Sequence, residues 1–398
     1  MTFDFTTIMD RHGKDSIAVD KIPYENIEVR DGFTKIPMWV AYINFATAPS
    51  GTRAMAERIA HPAFGYFDPR DAYFDSIVRW QKERNGVEGL TREHIGYENG
   101  VLGGVASAVK AFCSQGDAVL LHSPTYVGFT GTLTTLGYRI VHSDLLRDAD
   151  GVWRMDYEDM DRKLKEYKIH VAIFCSPHNP CGRVWEREEI ERAMEVYAAN
   201  DCVVISDEIW SDLLLNGNHH IPTQSVSADA RERTIAFYAP SKTFNLAGLI
   251  GSYHIIYSRY LRDRVDAESS KTGYNHMNVL SMHALIGAYS EEGAAWVDEL
   301  CGVLSKNINY ACDYIREHFD GVEVFRPEGT YMLFLDCEKW CQAHQKTIEE
   351  VQRAGVEVGV IWQDGRPFHG AYSIRMNLAV PYSLVQEAFD RLNRYVFL

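Results

Sequence analysis

A lysine at the end of an apolar run carries the most chemical information in this chain. Lys242, in TIAFYAPSKTFNLAGL, stands where a buried strand would give out into a turn. A buried amine without a counter-charge is costly and titrates low, so such a lysine is either a surface residue or a nucleophile that forms Schiff bases. Two further apolar runs end in polar residues: VAIFCSP leads into His178, Asn179 and Pro180, and CVVIS into Asp207 and Glu208. Taken singly, an Asn-Pro step is usually only a turn, and an aspartate after a strand is more often a helix cap. About one βα unit separates Asn179 from Asp207, and Asp207 from Lys242, so all three can converge on one crevice. Jointly they read as a site.

Three other stretches suit a ligand of the same crevice. NGVLGGVASAVKAF (99–112) is a glycine-containing turn opening an apolar helix, where free amides and the helix dipole favour a phosphate. It is neither GxGxxG nor a P-loop, which speaks against a nicotinamide dinucleotide enzyme or a P-loop NTPase. Tyr126, in SPTYVGF (123–129), follows a strand end and either packs in the core or stacks on a flat ring. Arg375, inside the apolar SIRMNLAVP, needs an anion, and a substrate carboxylate would satisfy it bidentately.

The elements that must position these residues follow from the apolar pattern. AVLLHSP (118–124), VAIFCSP (171–177), CVVISDE (202–208) and TIAFYAP (234–240) are short continuous apolar runs separated by helical patterns such as EREEIERAMEVYAA (186–199). That alternation predicts a mainly parallel sheet covered by helices on both faces, an α/β fold. After about residue 290 the grammar changes. Trp296, Leu300, Leu304, Ile308, Ala311, Ile315 and Phe319 recur at three- and four-residue steps and predict one long amphipathic helix. Strand-like VEVF (322–325), TYMLFLD (330–336) and AYSIRMNLAV (371–380) follow, with a last helix near 383–395, which predicts a smaller α+β domain. The expected division is a large domain over 46–288 and a small domain made of 1–45 and 289–398.

With 398 residues the chain exceeds one hydrophobic core. Its net charge of −15 argues against nonspecific nucleic-acid binding. No apolar run reaches transmembrane length and MTFDFTTIMDRHGKD does not read as a signal peptide, so a cytoplasmic protein is expected. Eight cysteines without a CxxC read as reduced structural thiols, no metal-ligand spacing is visible, and His219-His220 reads as a solvated loop pair.

A flat ring, a phosphate, an aldehyde that a lysine captures and a buried carboxylate together describe pyridoxal 5′-phosphate. The chain resembles the class I/II, fold-type I pyridoxal-phosphate enzymes over essentially its whole length, and within them the bacterial C–S lyases of the cystathionine β-lyase group. IPMWVA (36–41), HPAFGYF (61–67), SPTYVGF, CSPHNPCGRVW (175–185), ISDEIWSDL (205–213), APSKTFNLAGL (239–249) and IRMNLAVP (374–381) carry the resemblance; the fourth and sixth are its specific signals.

That resemblance implies that Lys242 holds the cofactor aldehyde, Asp207 pairs with the pyridine nitrogen, Asn179 binds the phenolate oxygen and Tyr126 stacks on the ring. It implies that Ser241 and the amides of Val101 and Leu102 bind the phosphate, and that Arg375 binds the substrate carboxylate. Tyr66 would reach the phosphate of a neighbouring subunit, which implies a homodimer with shared sites. Four departures stand out: Ala239 and Ile250 replace a serine and an arginine common near the phosphate, Trp210 stands where tyrosine or histidine is usual, and AYINF (41–45) replaces ADMDF. Tyr42 and Asn44 are thereby expected near the substrate entrance. The implied reaction is β-elimination from cystathionine or a related cysteine S-conjugate. An aminotransferase on the same machinery, or a non-catalytic regulatory protein, are the alternatives.

Overall fold

The computed structural model describes residues 2–273 and 275–398. Seven strands form its main sheet: β1 (Ile95–Glu98), β2 (Ala118–Ser123), β3 (Arg139–Asp144), β4 (Val171–Cys175), β5 (Val203–Asp207), β6 (Thr234–Tyr238) and β7 (Ser252–Ile255). Their order is β1-β7-β6-β5-β4-β2-β3. Only β7 runs against its neighbours; the ladders from β6 across to β3 are parallel. β2, β4 and β6 are buried at every position, as strands covered on both faces must be. Separate apolar clusters lie on the two sides. One packs the Val101–Phe112 helix on Leu121, Ile173, Ile205 and Phe237; the other packs Met160, Ile190 and Met194 on Leu120, Ala172 and Val204.

The intervening helices start where their sequences say they should. Asp156 caps Tyr157–Glu166 through the Asp159 N–H, and Glu186 with Glu189 forms a capping box ahead of Arg187–Ala199. Register then aligns the ends of the central strands, with Cys175 beside Asp207 and Asp207 beside Phe237.

A second, antiparallel sheet contains β8 (Glu323–Val324), β9 (Met332–Asp336), β10 (Gln363–Asp364) and β11 (Ser373–Asn377), in the order β8-β9-β11-β10. The amphipathic stripe after residue 290 folds as a helix over Glu291–His318, burying Trp296, Leu300, Leu304, Ile308 and Ile315. Each such side chain stabilises by about 1.5–3 kcal/mol relative to exposure. The amino-terminal segment is tied to this part of the chain. Ile36–Pro37 pairs in parallel with Val360–Ile361, and the Asn377 amide donates to the carbonyls of Val40 (2.6 Å) and Tyr42 (2.7 Å). That anchoring carries Ala41 to the edge of the main sheet.

All eight cysteines are free, and six of them are buried. Among the described residues no helix is long and apolar enough to cross a membrane.

Candidate active site

A cavity of about 240 Å³ lies outside the carboxyl ends of β4, β5 and β6. Lys242, Asp207, Asn179, Tyr126, Ser241, Val101, Leu102 and Trp210 all line it. Eight of the twelve expected site residues thus meet in one crevice, because each follows or caps an element ending at the same sheet edge.

Lys242 follows β6 by four residues, and its Nζ donates to the Ala41 carbonyl at 3.0 Å. That contact neutralises nothing. Burial pushes the amine down to about 8, the nearby Arg375 guanidinium adds to the effect, and Asp207 opposes it. Asp207 ends β5, is 4% exposed, and accepts one hydrogen bond, from the Ile209 N–H at 3.1 Å. Burial raises its carboxyl to about 7, against the Ile209 hydrogen bond and the Lys242 charge, while Glu208 pushes it further up. A carboxylate so poorly supplied with donors is short of an N–H or a cation on its cavity side.

Asn179 is held by a tight turn in which the His178 N–H bonds the Arg183 carbonyl at 2.8 Å and the Gly182 N–H bonds the His178 carbonyl at 2.7 Å. Gly182 has φ of +71°, and a Cβ there would meet Pro327 at 2.6 Å, so only glycine fits. The buried Arg183 locks the turn from behind through Glu189 (2.5 Å), Glu328 and the Trp153 carbonyl (3.1 Å). In the motif CSPHNPCGRVW, the arginine is therefore structural and the asparagine faces the cavity. Asn179 Oδ1 accepts from Arg375 Nη1 at 3.0 Å.

Arg375 lies in β11, flanked in register by Phe334 and Gln363. It is 3% exposed, its Nη2 donates to Gln363 Oε1, and its guanidinium sits 4.4 Å from the Phe368 ring centroid. Its Nε has no partner among the described residues, and burial lowers its pKa to about 10, which leaves it charged near neutrality. It touches the cavity through Asn179 and supplies the cation at that end.

The opposite end is built from backbone. Gly100 precedes the Val101–Phe112 helix with φ of +82° and ψ of 149°, a conformation open essentially to glycine alone. The first residues of this twelve-residue helix, Val101 and Leu102, line the cavity together with Ser241 and Ile250, and Asp207 is the only carboxylate among the described lining residues. Such a helix start suits an anion. The Tyr126 ring borders the same space and meets Phe129 edge-on at 5.3 Å. Trp210, 2% exposed, packs edge-on against Tyr331 at 4.8 Å and has Lys242 Nζ 5.9 Å from its ring centroid.

Three expected residues are elsewhere. The Tyr42 hydroxyl bonds Ser16 Oγ at 2.8 Å and the Ala18 N–H at 3.1 Å, with Arg11 over the ring. Asn44 is 6% exposed, donates to the Ala379 carbonyl at 3.2 Å and accepts from Arg11. Both side chains bond to groups of the fold, and neither lines the cavity. Tyr66 is fully exposed on this chain and outside the cavity.

Sequence reasoning missed Ala41, Cys175, Ile209 and Gly251 as cavity walls and Gln363 as a partner of Arg375. Nothing in those strings marks them, since long-range register brings them in. It also misread His220. That residue is 6% exposed, and its Nε2 lies 2.7 Å from the fully buried Glu208 carboxylate rather than in solvent.

Comparison with known proteins gives the same grouping. The chain is 33% identical to cystathionine beta-lyase PatB of Bacillus subtilis (strain 168), over 96% of this chain and 97% of that one. Cystalysin from Treponema denticola, whose crystal structure contains a pyridoxal 5′-phosphate cofactor, superposes with a TM-score of 0.92 at 28% identity, covering 99% of this chain and 98% of its own. The PLP-bound C–S lyase from Staphylococcus hominis superposes at 0.88, also at 28% identity, with 98% of both chains covered. The family model for aminotransferase class I and II matches residues 43–392, and the chain belongs to that family.

Proposed function

We propose that this protein is a pyridoxal 5′-phosphate-dependent C–S lyase that cleaves cystathionine or a related cysteine S-conjugate to a thiol, pyruvate and ammonia. The observation carrying this reading is the pairing of a depressed lysine with a donor-poor buried aspartate across one cavity. The residues fit the group. Lys242 is the amine for its aldehyde, Asp207 lacks the N–H that a protonated pyridine ring brings, and the amides after Gly100, with Ser241, suit its phosphate. When bound, the cofactor supplies an electron sink for the pair released as a proton leaves Cα.

The chain's own residues do the rest. Arg375, held planar by Asn179 and Gln363, orients the substrate carboxylate and so fixes which Cα bond lies across the ring. Lys242 would be released when the substrate's own amine takes its place on the aldehyde; with a pKa near 8, the free amine is partly neutral at physiological pH and would take the Cα proton as general base. The same ammonium then lies ready to protonate the departing sulfur. Asp207 keeps a proton on the ring nitrogen, and Tyr126 and Ile209 wall the ring's space against water. Tyr42 and Asn44, turned away from the cavity, have no part in this scheme.

The exposed Tyr66, in a stretch that also exposes Phe64, fits a contact completed by a second copy of the chain, and we read the functional unit as a cytoplasmic homodimer. The two sheets support a division into a large domain over 46–288 and a small domain of 1–45 and 289–398.

Purified protein incubated with cystathionine should release pyruvate and free thiol in equal amounts, and Lys242→Ala should abolish both. Keto-acid formation no greater than in the Lys242→Ala control would reject the lyase reading. Conversion of the cofactor to its pyridoxamine form by alanine, without pyruvate from cystathionine, would mark an aminotransferase instead.

A further inference from the structure

Behind Asp207, on the opposite side of β5, sits a second carboxylate that the scheme above leaves unused. Glu208 is 0% exposed, yet it is fully supplied with donors: Ser206 Oγ at 2.9 Å, the Thr223 N–H at 3.1 Å, Tyr238 Oη at 2.6 Å and His220 Nε2 at 2.7 Å. Its own N–H bonds the Phe237 carbonyl at 2.9 Å. Three segments are thereby clamped together: the end of β5, the end of β6 four residues before Lys242, and the 220–223 loop. Burial pushes the Glu208 carboxyl up, but the His220 charge and the bonds from His220, Tyr238 and Ser206 outweigh it and lower its pKa, so the carboxylate is held ionised.

Resting on the cofactor reading above, we propose that Glu208 is a positioning residue of the active site: its fixed negative charge, held behind Asp207, favours the protonated form of the cofactor held between Asp207 and Lys242. The contrast between the two neighbours supports this division of labour. Asp207 has one N–H donor and an open side, so its charge is available to a ligand; Glu208 has none to spare. A unit charge one residue away through protein rather than water interacts strongly enough to move a titration by about one pH unit.

The groups around the pair are few. Lys242, Tyr126 and Cys175 face Asp207 from the cavity side, and Arg375 acts on Lys242. On the far side Tyr238 stacks on Tyr253, Tyr257 feels the Glu208 charge, and Asp212 interacts with His220 and Arg84. Among these, only Glu208 is a buried anion adjoining Asp207.

The test uses holoprotein and reads the visible absorption of the Lys242 Schiff base as pH is varied. In Glu208→Gln the amide preserves shape but removes the charge, so the midpoint should fall by about half a pH unit or more. In His220→Gln the carboxylate keeps its charge and loses the partner that offsets it, so the midpoint should rise. Thermal unfolding is recorded in parallel, because a merely structural Glu208 would lower Tm and leave the midpoint alone. An unmoved midpoint in folded Glu208→Gln overturns the proposal. Should that variant not fold, His220→Gln decides: a raised midpoint upholds the proposal, and a midpoint held or lowered overturns it. Wild-type protein that develops no visible band with the cofactor would sink the functional reading, and this inference with it.

Discussion

Lys242 and Asp207 are each held in a protonation state that costs the empty fold stability. Asp207 has its folded pKa raised from 3.8 to about 7, so its contribution is fully present below the unfolded value and is lost as pH rises through about 7. Lys242 has its folded pKa lowered from 10.5 to about 8, so its contribution is present above the unfolded value and is lost as pH falls through about 8. Between those values both groups are charged in a setting that disfavours charge, and their mutual attraction recovers only part of the penalty. Removing one titrating group should therefore stabilise the apoprotein. Asp207→Asn keeps an acceptor for the Ile209 N–H, and above about pH 7 the apo variant should exceed wild type by about 4 kcal/mol. That advantage should shrink to nothing as pH approaches the unfolded aspartate value. Urea unfolding of cofactor-free protein across this range measures it, and equal stabilities throughout would mean Asp207 is not strained. The same substitution should weaken catalysis, since an amide cannot balance a protonated ring nitrogen.

At the scale of elements, the site depends on turns that begin helices at the right angle. Gly100 adopts φ of +82°, which a side chain would occupy only with strain of about 1–3 kcal/mol, although a Cβ there meets nothing closer than Ile250 at 3.9 Å. The cost of Gly100→Ala is thus conformational, and it falls on the amides of Val101 and Leu102. Cofactor affinity should drop by about tenfold or more while the Schiff-base absorption at saturation stays normal. Titrating apoprotein with the cofactor by absorbance would read both. This part of the molecule also shows what the sequence could and could not disclose. Lys242, Asp207 and Asn179 were legible because each breaks off a continuous apolar run, a pattern that local burial writes directly into the chain. β1, β3 and β7 were not. IGYE and SYHI carry polar residues into a buried sheet because Glu98 and His254 pair at 2.7 Å, and RIVHSD lies at the sheet's edge, with solvent on its outer side. The contacts of Tyr42 and Asn44 were illegible for a related reason: their partners Ser16, Ala18 and Ala379 are supplied by tertiary packing, and no local string announces them.

Of the three expected residues that lie outside the cavity, Tyr66 is the one on the open surface. Tyr66 is fully exposed, 56% of Phe64 is exposed beside it, and Arg58 lies 4.9 Å from the Phe64 ring centroid, so the stretch presents an aromatic surface to solvent on a single chain. The part of the cavity with Ser241, Ile250 and the Gly100 turn would suit a donor from outside, because among the described residues Lys242 is the only cation lining the cavity. A second copy delivering Tyr66 to that end would make every site a joint product of two chains. Sedimentation should then give twice the chain mass of 45.3 kDa. The sharper measurement is complementation. Tyr66→Ala and Lys242→Ala each remove one half of the site, and each homodimer should be nearly inactive. When the two are unfolded together and refolded, random pairing makes about half the dimers mixed, and each mixed dimer contains one site with both native residues. Activity should return to about a quarter of the wild-type value in the refolded mixture and stay absent when either variant is refolded alone. If the mixture recovers nothing while sedimenting as a dimer, Tyr66 does not cross between chains, and the exposed aromatic surface serves the contact without reaching the chemistry.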